Sequence, residues 1–209
     1  MIKIIDYKAG NAPSVLHAIN YLSQGPGLGH KVELAKSPAD LLGAGCIILP
    51  GVGSAKATME SLAELDILGP LEEAVLGKKI PFLGICIGMQ ILFDHSQEDD
   101  VRCLGWLPGK VVKYDSTGRS GAGAVRVPQM GWNKVSFVKD TSISAKEDYF
   151  YFVNSYHAHA DYTDVWGQAE YGGTFTAAVC RDNIYGMQFH VEKSGEAGLK
   201  LLDDFVRWG

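Results

Sequence analysis

Pro81-Phe82-Leu83-Gly84-Ile85-Cys86-Ile87-Gly88-Met89-Gln90 is an apolar, β-type run that stops at Gly-x-Cys-x-Gly and passes without a linker into residues of helical character. A buried strand feeding directly into a helix is the repeating step of a parallel α/β fold. Glycines flank the cysteine because a turn this tight brings neighbouring backbone too close for side chains, the pattern of a nucleophile elbow with sulfur in place of oxygen. Cys86 then stands at a helix N-terminus, where the dipole and the free N–H groups favour a thiolate. The next amide, Ile87 N–H, is placed to face a developing oxyanion. A buried structural cysteine at a glycine-flanked turn fits the same spacing.

The alternation continues on both sides of this run. Residues 2–6, 31–34, 46–49 and 81–85 have the apolar, β-branched character of strands, and residues 13–22, 67–76 and 88–93 that of helices. After about residue 105 the rhythm changes. Residues 111–113, 133–137, 149–154, 169–171, 177–181 and 184–188 are strand-like and joined by turns, and a last helix is expected over 195–207, with Ser194 as its N-cap and Glu196 in its first turn. The pattern predicts an α/β fold with a mostly parallel central sheet flanked by helices and an antiparallel β elaboration in the second half. With 209 residues and 46% hydrophobic side chains, a single domain over residues 1–209 is expected.

A net charge of -5, without a long basic or acidic run, provides no footprint for nucleic acid or an anionic membrane. The first residues, Met1-Ile2-Lys3-Ile4-Ile5-Asp6, form a strand rather than a targeting peptide, and no stretch approaches the roughly 20 apolar residues of a membrane span. A cytoplasmic protein is therefore expected. Its four cysteines, at positions 46, 86, 103 and 180, lack Cys-x-x-Cys pairing, so reduced thiols are expected and no metal site. Cys46 and Cys180 fall in apolar strand-like runs, and Cys103 in a charged loop. Two glycine-rich segments, residues 24–29 and 116–123, neither follow a strand nor open a helix, which makes them loops rather than phosphate cradles.

A thiolate nucleophile needs a proton carrier, because an amine leaves poorly as an anion. Gln188-Phe189-His190-Val191-Glu192 contains one. On an extended segment residues two apart share a side, so Glu192 can orient the imidazole of His190. Taken alone, His-x-Glu is more often a hydrogen-bonded core histidine. Cys46-Ile47-Ile48-Leu49-Pro50-Gly51-Val52-Gly53 is a second strand ending in a tight turn ahead of a helix. Glycines around Val52 allow peptide orientations suited to a second oxyanion amide, whereas a dinucleotide turn would need a third glycine and the first βαβ unit. His157-Ala158-His159 places two imidazoles on one strand face, without a cysteine or carboxylate at ligand spacing beside them.

Gly84-Ile85-Cys86-Ile87-Gly88-Met89-Gln90, Pro50-Gly51-Val52-Gly53 and Gln188-Phe189-His190-Val191-Glu192, in this order over most of the chain, resemble the triad-type (class I) glutamine amidotransferases. Asp6-Tyr7-Lys8-Ala9-Gly10-Asn11, Pro128-Gln129-Met130-Gly131-Trp132-Asn133 and Tyr151-Phe152-Val153-Asn154-Ser155-Tyr156-His157 are similar to the glutaminase subunits of imidazole glycerol phosphate synthases. The resemblance implies a triad of Cys86, His190 and Glu192, an oxyanion hole from Val52 and Ile87, and glutamine held by Gly51, Gly53, Gln90, Glu98, Ser155 and Tyr156. It also implies a (β/α)8 cyclase subunit as partner, which uses the ammonia to form imidazole glycerol phosphate and an aminoimidazole carboxamide ribotide. The docking face would include Asn11, Met130, Trp132 and Lys193, and no cofactor is implied.

Val191 stands where the family usually has proline, which leaves the backbone before Glu192 less constrained. Residues 25–29 also form a longer connection than the family's usual one. Three other functions fit the same motifs: a paralogous glutaminase serving a different synthase, another cysteine hydrolase on the same elbow, and a noncatalytic assembly subunit. The intact Cys86, His190 and Glu192 count against the last.

Overall fold

Strands Ile2–Ile5 (β1), Cys46–Leu49 (β3), Phe82–Ile85 (β4) and Ile184–Met187 (β13) are buried at every residue. Apolar runs of this kind arise where both faces of a parallel sheet are covered. With Val32–Ala35 (β2) they form a parallel core in the order β2-β1-β3-β4-β13. Successive side chains enter opposite layers. Ile4, Ile48, Leu83 and Ile85 pack with helices Ala12–Leu22 (α1) and Gly195–Trp208 (α5). Ile5, Ile47, Leu49 and Phe82 pack on the other face with Ala55–Glu64 (α2) and Leu68–Glu72 (α3). Each fully buried isoleucine here contributes about 2 kcal/mol, so the alternation holds both helical layers to the sheet.

The structure, a computed structural model, describes residues 1–8, 10–24, 29, 31–118 and 124–209. Most of the first glycine-rich segment and residues 119–123 of the second lie outside the described residues. Among the described residues no helix is long and apolar enough to cross a membrane.

The antiparallel elaboration continues the same sheet. From β13 it runs through Thr174–Arg181 (β12), Tyr156–Ala160 (β10), Gly109–Lys113 (β7), His95–Ser96 (β5) and Val101–Arg102 (β6). Val165–Glu170 (β11), Gln129–Phe137 (β8) and Asp148–Asn154 (β9) branch from β12. Strand β8 is thus longer than the expected 133–137, because its first residues pair in unbroken register with β9, from Gln129 opposite Asn154 to Val135 opposite Asp148. The β10 hydrogen-bond ladder and the bounds of α2 carry no distinct sequence signal of their own.

Two local expectations need correction. The helix expected over 88–93 is a single turn, Ile87–Gln90 (α4). Beyond it the carbonyls of Ile91, Leu92 and Phe93 accept hydrogen bonds from the amides of Leu104, Trp106, Leu107 and Gly105, which diverts them from a helical ladder. The helix expected over 67–76 is α3 followed by a π-helical turn, Glu73–Gly77. Cys103 lies in the loop after β6, beside the charged residues 98–102, with its side chain buried in the α2 and α3 layer.

Candidate active site

Cys86 occupies φ 55°, ψ -106°, a conformation that costs a non-glycine residue free energy and persists only where its surroundings enforce it. Two features do so here. Its amide donates to Met187 O at 2.7 Å, tying the turn to β13, while its carbonyl accepts from Met89 and Gln90 N at 3.1 Å. A Cβ on Gly84 would strike the Gly88 backbone, and one on Gly88 would strike the carbonyl of Leu49, so both glycines are demanded by close approach. Since α4 is one turn long, its dipole is a small influence on the thiol. The side chains around the sulfur matter more.

His190 lies just past β13 and is 3% exposed. Its Nδ1 donates to Glu192 Oε1 at 2.9 Å, which leaves Nε2 for the thiol. Burial works against the imidazolium, but hydrogen bonds to the Cys86 thiol and the Glu192 carboxylate, and their charges, outweigh it and push the His190 pKa up to about 10. The backbone of His190 is clamped by β9: its amide donates to Tyr151 O at 2.9 Å, and Ser194 Oγ donates to its carbonyl at 2.7 Å while accepting from Tyr151 N at 3.0 Å. Ser194 occupies the N-cap position of α5, yet its hydroxyl forms no cap there because this bridge uses it.

The pairing of His190 with Glu192 arises from a different backbone than expected. Strand β13 ends at Met187, and Val191–Lys193 is a 3-10 turn that folds Glu192 back toward the imidazole. Val191 is buried at the first position of this turn, where proline's fixed φ is suited and its missing N–H costs nothing. Val191→Pro is accordingly expected to fold with a melting temperature within about 3 °C of wild type and to keep its glutaminase rate within about twofold. Thermal melts and glutamate release measure both.

A cavity of about 230 Å³ opens over Cys86, lined by Gly53, Ile87, Gln90, Glu98, Ser155 and Tyr156. Residues from four separate parts of the chain meet there. Pro128, Val153 and Asn154 also line it; they fall within the stretches that carry the family resemblance, though no site role is expected of them there. Gly51 and Val52 lie outside this lining. Gly51 is buried where a Cβ would strike Ile87 and Tyr7, and Val52 is 40% exposed.

One polar relay orders the cavity's amides. Gln90 Nε2 donates to Tyr156 O and to Gln188 Oε1, each at 2.9 Å, and Gln188 Nε2 then points at Cys86 Sγ, 3.7 Å away. Because a carbonyl can only accept, Tyr156 O sets the orientation of both glutamines. The carbonyl oxygen of Gln90 is therefore the group left for a ligand. Glu98 accepts from the Ala55 amide at 3.1 Å, capping α2, and burial nevertheless raises its carboxyl pKa. His157, one of the two strand-face imidazoles, stacks on Tyr114 at 4.5 Å, and burial depresses its pKa to about 4.

The residues expected at a docking face differ in exposure. Met130 and Trp132 are 66% and 57% exposed, so Trp132 is not a core residue. Trp132 packs edge-on against Tyr151, whose backbone holds His190, and Lys193 is exposed one residue beyond Glu192. Asn11 is half-buried, its amide turned to Glu192.

Fold and cluster together define a class of α/β proteins that carry a thiol on a strand–helix elbow and an imidazole–carboxylate pair at the end of the next strand. The family profile "Glutamine amidotransferase class-I" matches residues 4–208. Imidazole glycerol phosphate synthase subunit HisH of Methanocaldococcus jannaschii is 40% identical over 99% of this chain and 98% of its own length. The HisH subunit of Herpetosiphon aurantiacus is 42% identical over 99% of this chain and 93% of its own. The chain belongs to the class-I glutamine amidotransferases and, within them, to the HisH subunits. A crystal structure of a glutamine amidotransferase shares the fold, with a TM-score of 0.76 at 15% identity over 99% of this chain and 97% of that one.

Proposed function

We propose that the chain hydrolyses L-glutamine at Cys86 and delivers the ammonia to a (β/α)8 cyclase subunit that makes imidazole glycerol phosphate and aminoimidazole carboxamide ribotide, in a cytoplasmic heterodimer of histidine biosynthesis. The observation that carries this is the meeting of Cys86, His190 and Glu192 beneath a cavity whose lining contains five of the six residues expected to bind or flank glutamine beside the nucleophile. Cys86 Sγ attacks the side-chain amide carbon, and the oxyanion forms facing the amides of Ile87 and Val52. The imidazolium of His190 gives its proton to the nitrogen as the C–N bond breaks, releasing ammonia and leaving a glutamyl thioester. Water, deprotonated by His190, attacks that thioester, and the thiolate departs as glutamate is formed. Gln90, Glu98, Ser155 and Tyr156 hold the substrate, and Gln188 steadies the sulfur.

The docking face of Met130, Trp132 and Lys193 joins this machinery through Tyr151 and the 3-10 turn. Methionine and tryptophan supply adaptable and large apolar contacts. Mixing the chain with a cyclase subunit tests the assignment. A heterodimer is expected, with glutaminase activity low in the free chain, raised when the cyclase carries its own ligand, and weakened by Lys193→Ala. If no complex forms, the synthase assignment falls and a glutaminase with another destination remains.

A further inference from the structure

Asn11 stands at the N-cap of α1, where an asparagine side chain ordinarily accepts a hydrogen bond from an amide of the first turn and adds about 1 kcal/mol to the helix. Here it forms no such cap. Its Nδ2 instead donates to Glu192 Oε1 at 2.9 Å, across 181 residues of sequence, and its Oδ1 accepts from Ser14 Oγ at 2.6 Å. The first-turn amides of Ser14 and Val15 meet only the backbone carbonyl of Asn11, at 3.2 and 3.4 Å. A local rule is set aside for a distant contact, which is the signature of a residue placed for function.

We infer that Asn11 is a positioning residue for the reaction, with Ser14 as the lock on its orientation. Among the described residues, Glu192 Oε1 receives both of that carboxylate's hydrogen bonds, one from His190 Nδ1 and one from Asn11 Nδ2, while Oε2 is buried without a partner. Its side chain is 1% exposed, so solvent offers no replacement donor. The Asn11 bond holds the carboxylate in register with the imidazole. An asparagine amide can turn over and present its oxygen, which would repel the carboxylate. The Ser14 hydroxyl, donating to Oδ1, prevents this. Asn11 does not line the cavity over Cys86, so its effect on glutamine is indirect.

This inference rests on the proposed roles of Cys86, His190 and Glu192, and capping and positioning predict opposite orders for the same substitutions. Aspartate and serine are good N-caps, so a capping role makes Asn11→Asp and Asn11→Ser neutral or stabilising and leaves turnover unchanged. Positioning makes Asn11→Asp the most harmful of the set, since it removes the donor and sets a second carboxylate against Glu192. The experiment measures glutamate release by wild type, Asn11→Asp, Asn11→Ser and Ser14→Ala, each at saturating cyclase, together with complex affinity, melting temperature and the pH profile. We expect kcat to fall about tenfold or more in both Asn11 variants and about threefold in Ser14→Ala, with KM for glutamine and melting temperature little changed. The acid limb of Asn11→Asp should move to higher pH, because like charges delay ionisation of the pair. Unchanged kcat and an unmoved acid limb in Asn11→Asp overturn the proposal, as does a loss that disappears when cyclase is saturating, which would make Asn11 a docking residue. If wild type itself releases no glutamate, the underlying site assignment fails and the inference with it.

Discussion

Cys86→Ala is expected to lower glutamine hydrolysis by about four orders of magnitude while the fold persists, since the change deletes one buried sulfur and adds nothing to the crowded elbow. Thiol chemistry elsewhere in the chain cannot substitute. Burial pushes the Cys46 and Cys103 thiols up to about 11 and raises that of Cys180, so near neutral pH all three remain protonated. Cys86 alone has an imidazole as hydrogen-bond partner and an amide donor 3.7 Å away. A glutamine-mimicking electrophile should therefore label wild type at Cys86 only, detected by peptide mass mapping. In complex with the cyclase, Cys86→Ala should fail with glutamine yet support synthesis from added ammonium salts. Labelling of Cys46 or Cys180 at a comparable rate would remove Cys86 from the mechanism.

His190→Ala should cost about a thousandfold in the same assay, because neither thiolate formation nor protonation of the departing nitrogen is then served. Glu192→Gln should cost about ten- to a hundredfold, retaining an acceptor for Nδ1 but losing its charge. The pH dependence separates the two roles. A histidine raised above its ordinary 6.5 is charged in the folded protein until the pH passes about 10. Its stabilising contribution is thus complete below about 6.5 and is lost as pH rises toward 10. The alkaline limb of kcat/KM in wild type should accordingly lie near pH 10, and Glu192→Gln should bring it to lower pH by removing one of the interactions that raise the imidazole. An alkaline limb near 6.5 in wild type would show that the imidazolium is not held by this pair.

Part of this site is legible in the sequence. The elbow around Cys86 is a local constraint, in which strand, glycines and helical residues are contiguous. The side-chain identities of His190 and Glu192 were equally plain. Their geometry was not: a 3-10 turn brings Glu192 back to the imidazole, and an extended segment predicts a similar pairing for a different reason. Residues 88–93 have helical composition, yet the carbonyls of 91–93 bond to residues 104–107, a tertiary competition invisible in a local window. Trp132 could have served a core or a surface equally well, since its strand alternates either way until pairing assigns its face.

By itself, then, the sequence determined what depends on neighbours along the chain: the apolar period of the core strands, the positions where only glycine fits, and the residue types able to act as nucleophile, base and orienting acid. Tertiary structure alone decided what depends on partners far apart in the chain. It set the β8 to β9 register that exposes Met130 and Trp132, and the Tyr156 carbonyl that orients Gln90 and Gln188. It also turned Asn11 away from its own helix toward Glu192. The physical reason is that a side-chain amide or hydroxyl has several acceptors and donors available locally, and only the packed fold, which removes water and brings a charged group within hydrogen-bond distance, selects among them.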